Sequence, residues 1–176
     1  MINNIDFYNY SYPDELIALN PLDSKDQANM LVFENSVFTH QRVGDLLKYV
    51  SENDLLVFNN TKVLPGRLTG QRVRPSEKNM KPTISVTLNK EVDRDVWTTF
   101  CKQLKKLKKG DRIVFSKDLS AEVVSFDNGQ CVMNFQSGSK ELIPCLREIG
   151  DMPLPPYIIK KRGPKKADHK SYQSPF

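Results

Sequence analysis

"DRIVFSKDLSAEVVSFDNGQCVMNFQ", residues 111–136, contains three short runs of β-branched and aromatic residues separated by polar turns. In "LSAEVVSFD" (119–127) and "QCVMNFQ" (130–136) apolar and polar residues alternate with a period near two, which marks strands rather than helices. "DNGQ" between them is a turn signal, and "KKGD" (108–111) is another. Upstream, "VLPGRLTG" (63–70), "TISVTLN" (83–89) and "DVWTTFCKQL" (95–104) continue the pattern. Six strands in this short span, with no helical stretch, predict a small closed or nearly closed antiparallel barrel, because closure removes unpaired edges.

On either side of this region the periodicity changes. "NMLVFEN" (29–35) and "DLLVFNN" (54–60) read as buried strands. Between them "THQRVGDLLKYVSEND" (39–54) carries Val43, Leu46, Leu47 and Val50 at helical spacing. Strand, helix and strand in that order permit a parallel pair with a right-handed crossover. On the C-terminal side, "SKELIPCLREIG" (139–150) predicts a short helix with Ser139 as candidate N-cap and Gly150 as its stop, and Pro144 imposes a kink or a late start. "DMPLPPYIIKK" (151–161) follows, with Pro153, Pro155 and Pro156 holding an extended course. The residues alone leave two roles open for this ledge, a packed linker or the wall of a ligand groove. The predicted fold is α+β: an α/β main-domain portion (residues 1–63 and 150–176) interrupted by an inserted small antiparallel β-barrel with a short C-terminal helix (64–149).

The chain has 176 residues, 39% of them hydrophobic, and its 26 basic and 21 acidic residues give a net charge of +5. Much of the basic excess lies in two clusters, Lys102, Lys105, Lys106, Lys108, Lys109 and Arg112, and Lys160, Lys161, Arg162, Lys165, Lys166 and Lys170. Such clusters suit a polyphosphate backbone, although a solvated surface loop has the same composition. The apolar runs fall far short of the roughly 20 residues that cross a bilayer, so no membrane partner is expected. The N-terminus lacks the pattern of a secretory signal, so a cytoplasmic location is expected. Cys101, Cys131 and Cys145 show no C-x-x-C spacing, so free thiols are expected, with neither a disulfide framework nor a metal site. His40 and His169 lie far apart beside polar residues, and neither receives a catalytic role. No catalytic residue is assigned from the residues alone.

"DLLVFNNTKVLPGRLTG" (54–70) runs from its strand into Asn59, Asn60, Thr61 and Lys62. Ligands of α/β sheets gather beyond the carboxyl ends of strands. Asn and Thr supply donors and acceptors, Lys62 a cation, and Arg67 a planar fork suited to carboxylate or phosphate. An Asn-rich turn capped by its own side chains is the alternative.

This motif and "GDMPLPPYI" (150–158), separated by a barrel-like insert with "LKKGDRIVF" (107–115), resemble the N-terminal half of the S-adenosylmethionine:tRNA ribosyltransferase-isomerase family of queuosine biosynthesis. "IDFYNYSYPDELIALNPL" (5–22), "NMLVF" (29–33) and "HKSYQSPF" (169–176) resemble the family in order and spacing. The resemblance implies an α/β domain interrupted by a small β-barrel. It also implies transfer and isomerisation of the ribosyl part of S-adenosylmethionine onto 7-aminomethyl-7-deazaguanine at the tRNA wobble position, with S-adenosylmethionine as co-substrate and no separate cofactor. tRNA is the implied partner, its backbone meeting Lys102, Lys105, Lys106, Lys108 and Lys109 and Lys160, Lys161, Arg162, Lys165 and Lys166. Asn59, Asn60, Thr61, Lys62 and Arg67 would face the nucleoside or the methionine end of the co-substrate. Pro153, Leu154, Pro155 and Tyr157 would shape the adjoining wall, with Tyr157 placed to stack on a base or to bury its ring.

The sequence departs from the family pattern in four places. The usual N-D-T-R reads Asn59, Asn60, Thr61 and Lys62, and a usual Ser-Arg pair reads Ala28-Asn29. "KNMKPTISV" (78–86) lacks the Gly-Gly that enters the family's barrel and places Ser85 where its Glu would align. The family continues past "SYQSPF" for about as much sequence again, so the chain is expected to be truncated, to work with a complementary C-terminal chain, or to be an RNA-binding module or remnant that has lost chemistry.

Overall fold

The computed structural model describes residues 4–74 and 82–173. Three short 3-10 turns, at Ile5–Tyr8, Asp14–Leu16 and Lys25–Gln27, lead into a hairpin of β1 (Asn29–Glu34) and β2 (Val37–Arg42). The pair is antiparallel from Asn29↔Arg42 to Glu34↔Val37, and the Phe33 and Phe38 rings meet at 4.5 Å near the turn.

This hairpin replaces the expected parallel pair. Asn35 and Ser36 both take positive φ (50° and 63°), the backbone of a two-residue turn that matches strand twist. A partner two residues away costs far less loop-closure entropy than one reached through a crossover, so β1 pairs with the β-branched run that follows it. The predicted helix over 39–54 is lost for the same reason: Thr39–Arg42 belong to β2, and a 3-10 helix covers only Val43–Tyr49. Of the expected stripe, Val43, Leu46 and Val50 are half-buried, and Leu47 is exposed. The second expected strand is also absent, since Leu55–Phe58 have no secondary structure and Leu55 and Val57 are 88% and 87% exposed. Among the described residues before Pro65, none is buried.

From Arg67 the chain behaves differently. β3 (Arg67–Val73), β4 (Thr83–Asp93), β5 (Val96–Cys101), β6 (Arg112–Val114), β7 (Ser120–Asp127) and β8 (Gln130–Gln136) close into an antiparallel barrel in the order β3-β4-β5-β8-β7-β6. The last contact, β6 on β3, runs from Gln71↔Val114 to Val73↔Arg112 and leaves no free edge. Alternation places Leu68, Ile84, Val86, Ile113, Val123 and Met133 inside, each at most 2% exposed. The expected barrel is therefore observed, with register shifts in the β4–β5 and β7–β8 pairs where bulges absorb its curvature. The 75–81 stretch, which includes most of the expected Gly-Gly position, lies outside the described residues.

Helix α1 (Leu142–Ile149) seats Leu142, Cys145 and Leu146 on the barrel core. Its start is later than Ser139: Glu141 is the N-cap, and Pro144 falls in the first turn, where its missing N–H costs nothing. Gly150 ends the helix as expected, its N–H donating to the Leu146 carbonyl. Two more helices follow, α2 (Pro156–Arg162) and α3 (Asp168–Ser171).

Candidate functional site

The chain enters and leaves the barrel at one place. Arg67 and Asp151 form an isolated antiparallel bridge, with the Arg67 N–H donating to the Asp151 carbonyl at 3.1 Å and the return bond at 2.8 Å. Gly150 permits this approach, because a Cβ there would stand 2.0 Å from the Pro65 carbonyl oxygen. Beside the bridge, Met152, Leu154 and Ile158 form a second small core with Val63, Leu19 and Tyr172. Gln173 clasps the backbone of Val63 from both sides: its Oε1 accepts from the Val63 N–H at 2.9 Å, and its Nε2 donates to the Val63 carbonyl at 3.1 Å.

The proline ledge has a defined course. Pro155 is extended (φ −55°, ψ 144°), and Pro156 is the first residue of α2. That helix was not expected, although the sequence signals it: Pro at its first turn, three cations in its last turn, and Gly163 beyond it at φ 67°. Leu154 is buried, Pro153 and Pro155 are half-buried, and Tyr157 is exposed. Leu154, Pro155 and Tyr157 line a cavity of about 260 Å³ whose other wall is Leu19, Asn20 and Pro21.

A second cavity, about 350 Å³, lies between α2 and the outside of the barrel. The strand register explains its lining. Arg67, Thr87 and Phe100 are cross-strand partners on β3, β4 and β5, so their side chains share one outward row. Ser85 and Lys102 stand one step along, joined by the Lys102 N–H to the Ser85 carbonyl at 3.3 Å. Pro156, Ile159 and Lys160 of α2 cover the opposite side. Lys102 from the first basic cluster, Lys160 from the second and Arg67 thus meet in one groove, with no Asp or Glu among its lining residues.

The remaining candidates are dispersed. Asn59, Asn60, Thr61 and Lys62 are exposed and line neither cavity. The Asn59 side chain accepts from the Thr61 N–H at 2.8 Å and from the Thr61 hydroxyl, so this stretch is the self-capped turn that the sequence left open as an alternative. Lys105, Lys106, Lys108 and Lys109 are exposed on the β5–β6 connection. Beneath them Asp111 is 5% exposed and accepts from Arg74 Nη2 at 2.6 Å and from the Lys108 N–H at 2.8 Å. Burial pushes the Asp111 carboxyl up, but these donors outweigh it and hold it below the usual carboxylate range.

The second basic cluster is only partly free. Arg162, expected to meet phosphate, is turned inward. Its guanidinium makes two bonds to Asp168 at 2.7 and 3.0 Å, a third to the Leu19 carbonyl at 2.6 Å and a fourth to the Gly163 carbonyl at 3.0 Å. A planar fork with a buried carboxylate to satisfy leaves the phosphate-facing set. Its hydrogen bonds hold the Asp168 carboxyl below the usual range, helped by the Lys165 N–H. Lys161 reaches the Asp14 carboxylate at 3.2 Å, and Lys165 the Asn20 side chain at 3.2 Å, while Lys160 and Lys166 stay exposed. These bonds tie the N-terminal segment to α2 and α3.

A family model described as "Queuosine biosynthesis protein" matches residues 5–176. The chain belongs to that family. Among its relatives, the S-adenosylmethionine:tRNA ribosyltransferase-isomerase of Ruegeria pomeroyi is 35% identical over 95% of this chain and 48% of that protein. The protein of the same name from Ruegeria sp. strain TM1040 is 39% identical over the same shares. The chain spans about half the length of the curated relatives it matches. A solved structure, the S-adenosylmethionine tRNA ribosyltransferase of Thermotoga maritima, is 25% identical over 88% of this chain and 52% of that one, with a TM-score of 0.38. No helix among the described residues is long and apolar enough to cross a membrane, and none of their His, Cys, Asp and Glu side chains group as a metal site.

Proposed function

We propose that this chain is the N-terminal portion of a tRNA-modifying transferase that moves the ribosyl moiety of S-adenosylmethionine onto 7-aminomethyl-7-deazaguanine at the wobble position and isomerises it to epoxyqueuosine. The family match over residues 5–176 carries this reading. In it, residues 1–63 and 150–176 are part of the main domain, and 64–149 are the insert. S-adenosylmethionine is a co-substrate rather than a resident cofactor, tRNA is the partner, and the cytoplasm is the compartment. Lys105, Lys106, Lys108 and Lys109 on one side, and Lys160 and Lys166 on the other, serve the tRNA backbone. Asn60 and Lys62, exposed on the turn before the crossing, meet the substrate only once a complementary half completes the site.

The unburied segment before Pro65 supports a further element of the proposal. It exposes Leu55, Val57, Phe33 and Phe38 and leaves both faces of the hairpin open, an apolar surface of the kind that marks an interface. A complementary polypeptide, equivalent to the other half of the relatives, covers this surface and completes the site. Co-expression with that half, followed by mass spectrometry of the wobble nucleoside, tests the reading. Epoxyqueuosine is the expected product, and a stable complex without it refutes catalysis.

One observation favours a second reading, a catalytically inactive RNA-binding module. Asn60 and Lys62 replace a carboxylate and a guanidinium, and an amide cannot take a proton as Asp does. That reading predicts tRNA binding without conversion in the same co-expression experiment.

A further inference from the structure

The groove between α2 and the barrel has features that a plain phosphate track does not need. Phe100 sits in its outward row 53% exposed, in a strand whose inward neighbour Thr99 is fully buried. An aromatic ring left in water beside cations is the arrangement proteins use to stack an unpaired base while holding its phosphate. Among the described residues, no ion pair engages the side chains of Arg67, Lys102 or Lys160. Ser85 and Thr87 add hydroxyls between them, which donate to or accept from a ribose or a phosphate. At about 350 Å³ the groove falls in the range of clefts, roughly 300–1,000 Å³, that hold small ligands.

We propose that this groove holds one unpaired nucleotide of the RNA, its base against Phe100 and its phosphate among Arg67, Lys102 and Lys160. The inference rests on the reading that the chain acts on tRNA, and it adds the place where an extruded nucleotide is held. The four residues come from β3, β5 and the position just after it, and α2, so the subsite exists only because the chain crosses itself at Arg67 and Asp151.

The test uses the full chain and two labelled probes followed by fluorescence anisotropy across a salt series: a stem-loop RNA with an unpaired loop, and a blunt RNA duplex of equal length. Phe100→Leu is expected to weaken stem-loop binding about 5-fold or more while leaving duplex binding unchanged, because loss of base stacking affects only the unpaired nucleotide. Phe100→Tyr is expected to restore it. Lys102→Gln is expected to weaken both and to lower the salt slope by about one, as one phosphate contact requires. Lys102 is exposed, so its variant reports even if substitution at Phe100 disturbs folding, which circular dichroism checks. Parent-like stem-loop binding by Phe100→Leu overturns the inference and leaves the tRNA reading intact. An Arg67→Gln variant that loses S-adenosylmethionine binding by calorimetry, yet binds stem-loop as the parent does, also overturns it, because the groove then serves the co-substrate carboxylate. If the parent chain binds neither RNA better than a neutral control protein does, the tRNA reading itself fails.

Discussion

Replacing Leu55 and Val57 with serine separates surface reserved for a partner from surface that supports this chain. Full burial of a Leu or Val side chain contributes about 1.5–3 kcal/mol. At 88% and 87% exposure, only about an eighth of that contribution is present, roughly 0.2–0.4 kcal/mol each. The double variant is therefore expected to lose less than about 1 kcal/mol in urea unfolding of the isolated chain. Trp97, the only tryptophan, sits on β5 partly buried against the barrel core and reports that transition. If the complementary half buries both side chains, the same variant loses about 3–6 kcal/mol of association, or two to four decades in affinity, measured by titrating that half. A loss of about 2 kcal/mol or more in the isolated chain would show that these residues already have a cover, and an unchanged affinity would show that the partner does not use them.

Three further outcomes follow from the barrel and its crossing. Gly150→Ala is expected to cost about 1–3 kcal/mol in the same unfolding assay, since its Cβ must displace Pro65 backbone, whereas Gly44→Ala, whose nearest neighbours stand at 3.5 Å or beyond, should be neutral within about 0.5 kcal/mol. Asp168 has a folded pKa below its ordinary 3.8, so its contribution is present above that value and is lost as pH falls through the lower folded value. Asp168→Asn should therefore lower the melting temperature at neutral pH and flatten its fall below about pH 4; Asp111, Asp45 and Asp54, also held below the usual range, supply the slope that remains, and melting curves that stay parallel to the parent's would count against the pair. Contact with Cys101, together with burial, pushes the Cys131 thiol up, so iodoacetamide should modify half-exposed Cys101 in the native chain well before Cys131 or Cys145, as peptide mapping will show.

The barrel was legible because each of its strands carries its own signal: a period of two, bounded by turns such as Asn128-Gly129. Inward residues alternate with outward ones and find a core within the same span, so local pattern and final burial agree. The segment before it misled for the opposite reason. "DLLVFNN" has the composition of a buried strand, but Leu55–Phe58 join no sheet, and apolar content alone does not say which polypeptide supplies the cover. The hairpin was signalled by Asn35-Ser36, a turn that the helical stripe of Val43, Leu46 and Val50 overshadowed. Arg162 read as a free cation because the carboxylate that binds it, Asp168, lies beyond a glycine and a proline, where sequence spacing carries no contact information.

The groove was hidden by topology rather than by chemistry. Lys102 and Lys160 sit in clusters separated by half of the barrel's strands and α1, and either cluster alone is compatible with a solvated surface. A closed barrel has no edge on which to extend a site, so its contribution must come from an outward row of side chains, and only a row beside the crossing can be joined by residues that return to it. The row Arg67, Thr87 and Phe100 begins at the crossing residue itself. Gly150, by letting the two backbones touch, lays α2 alongside that row and turns two dispersed charge clusters into one concave surface. Field lines from cations in a concave, partly apolar wall are focused rather than spread, so Arg67, Lys102 and Lys160 act on one point where cations on an open surface act singly.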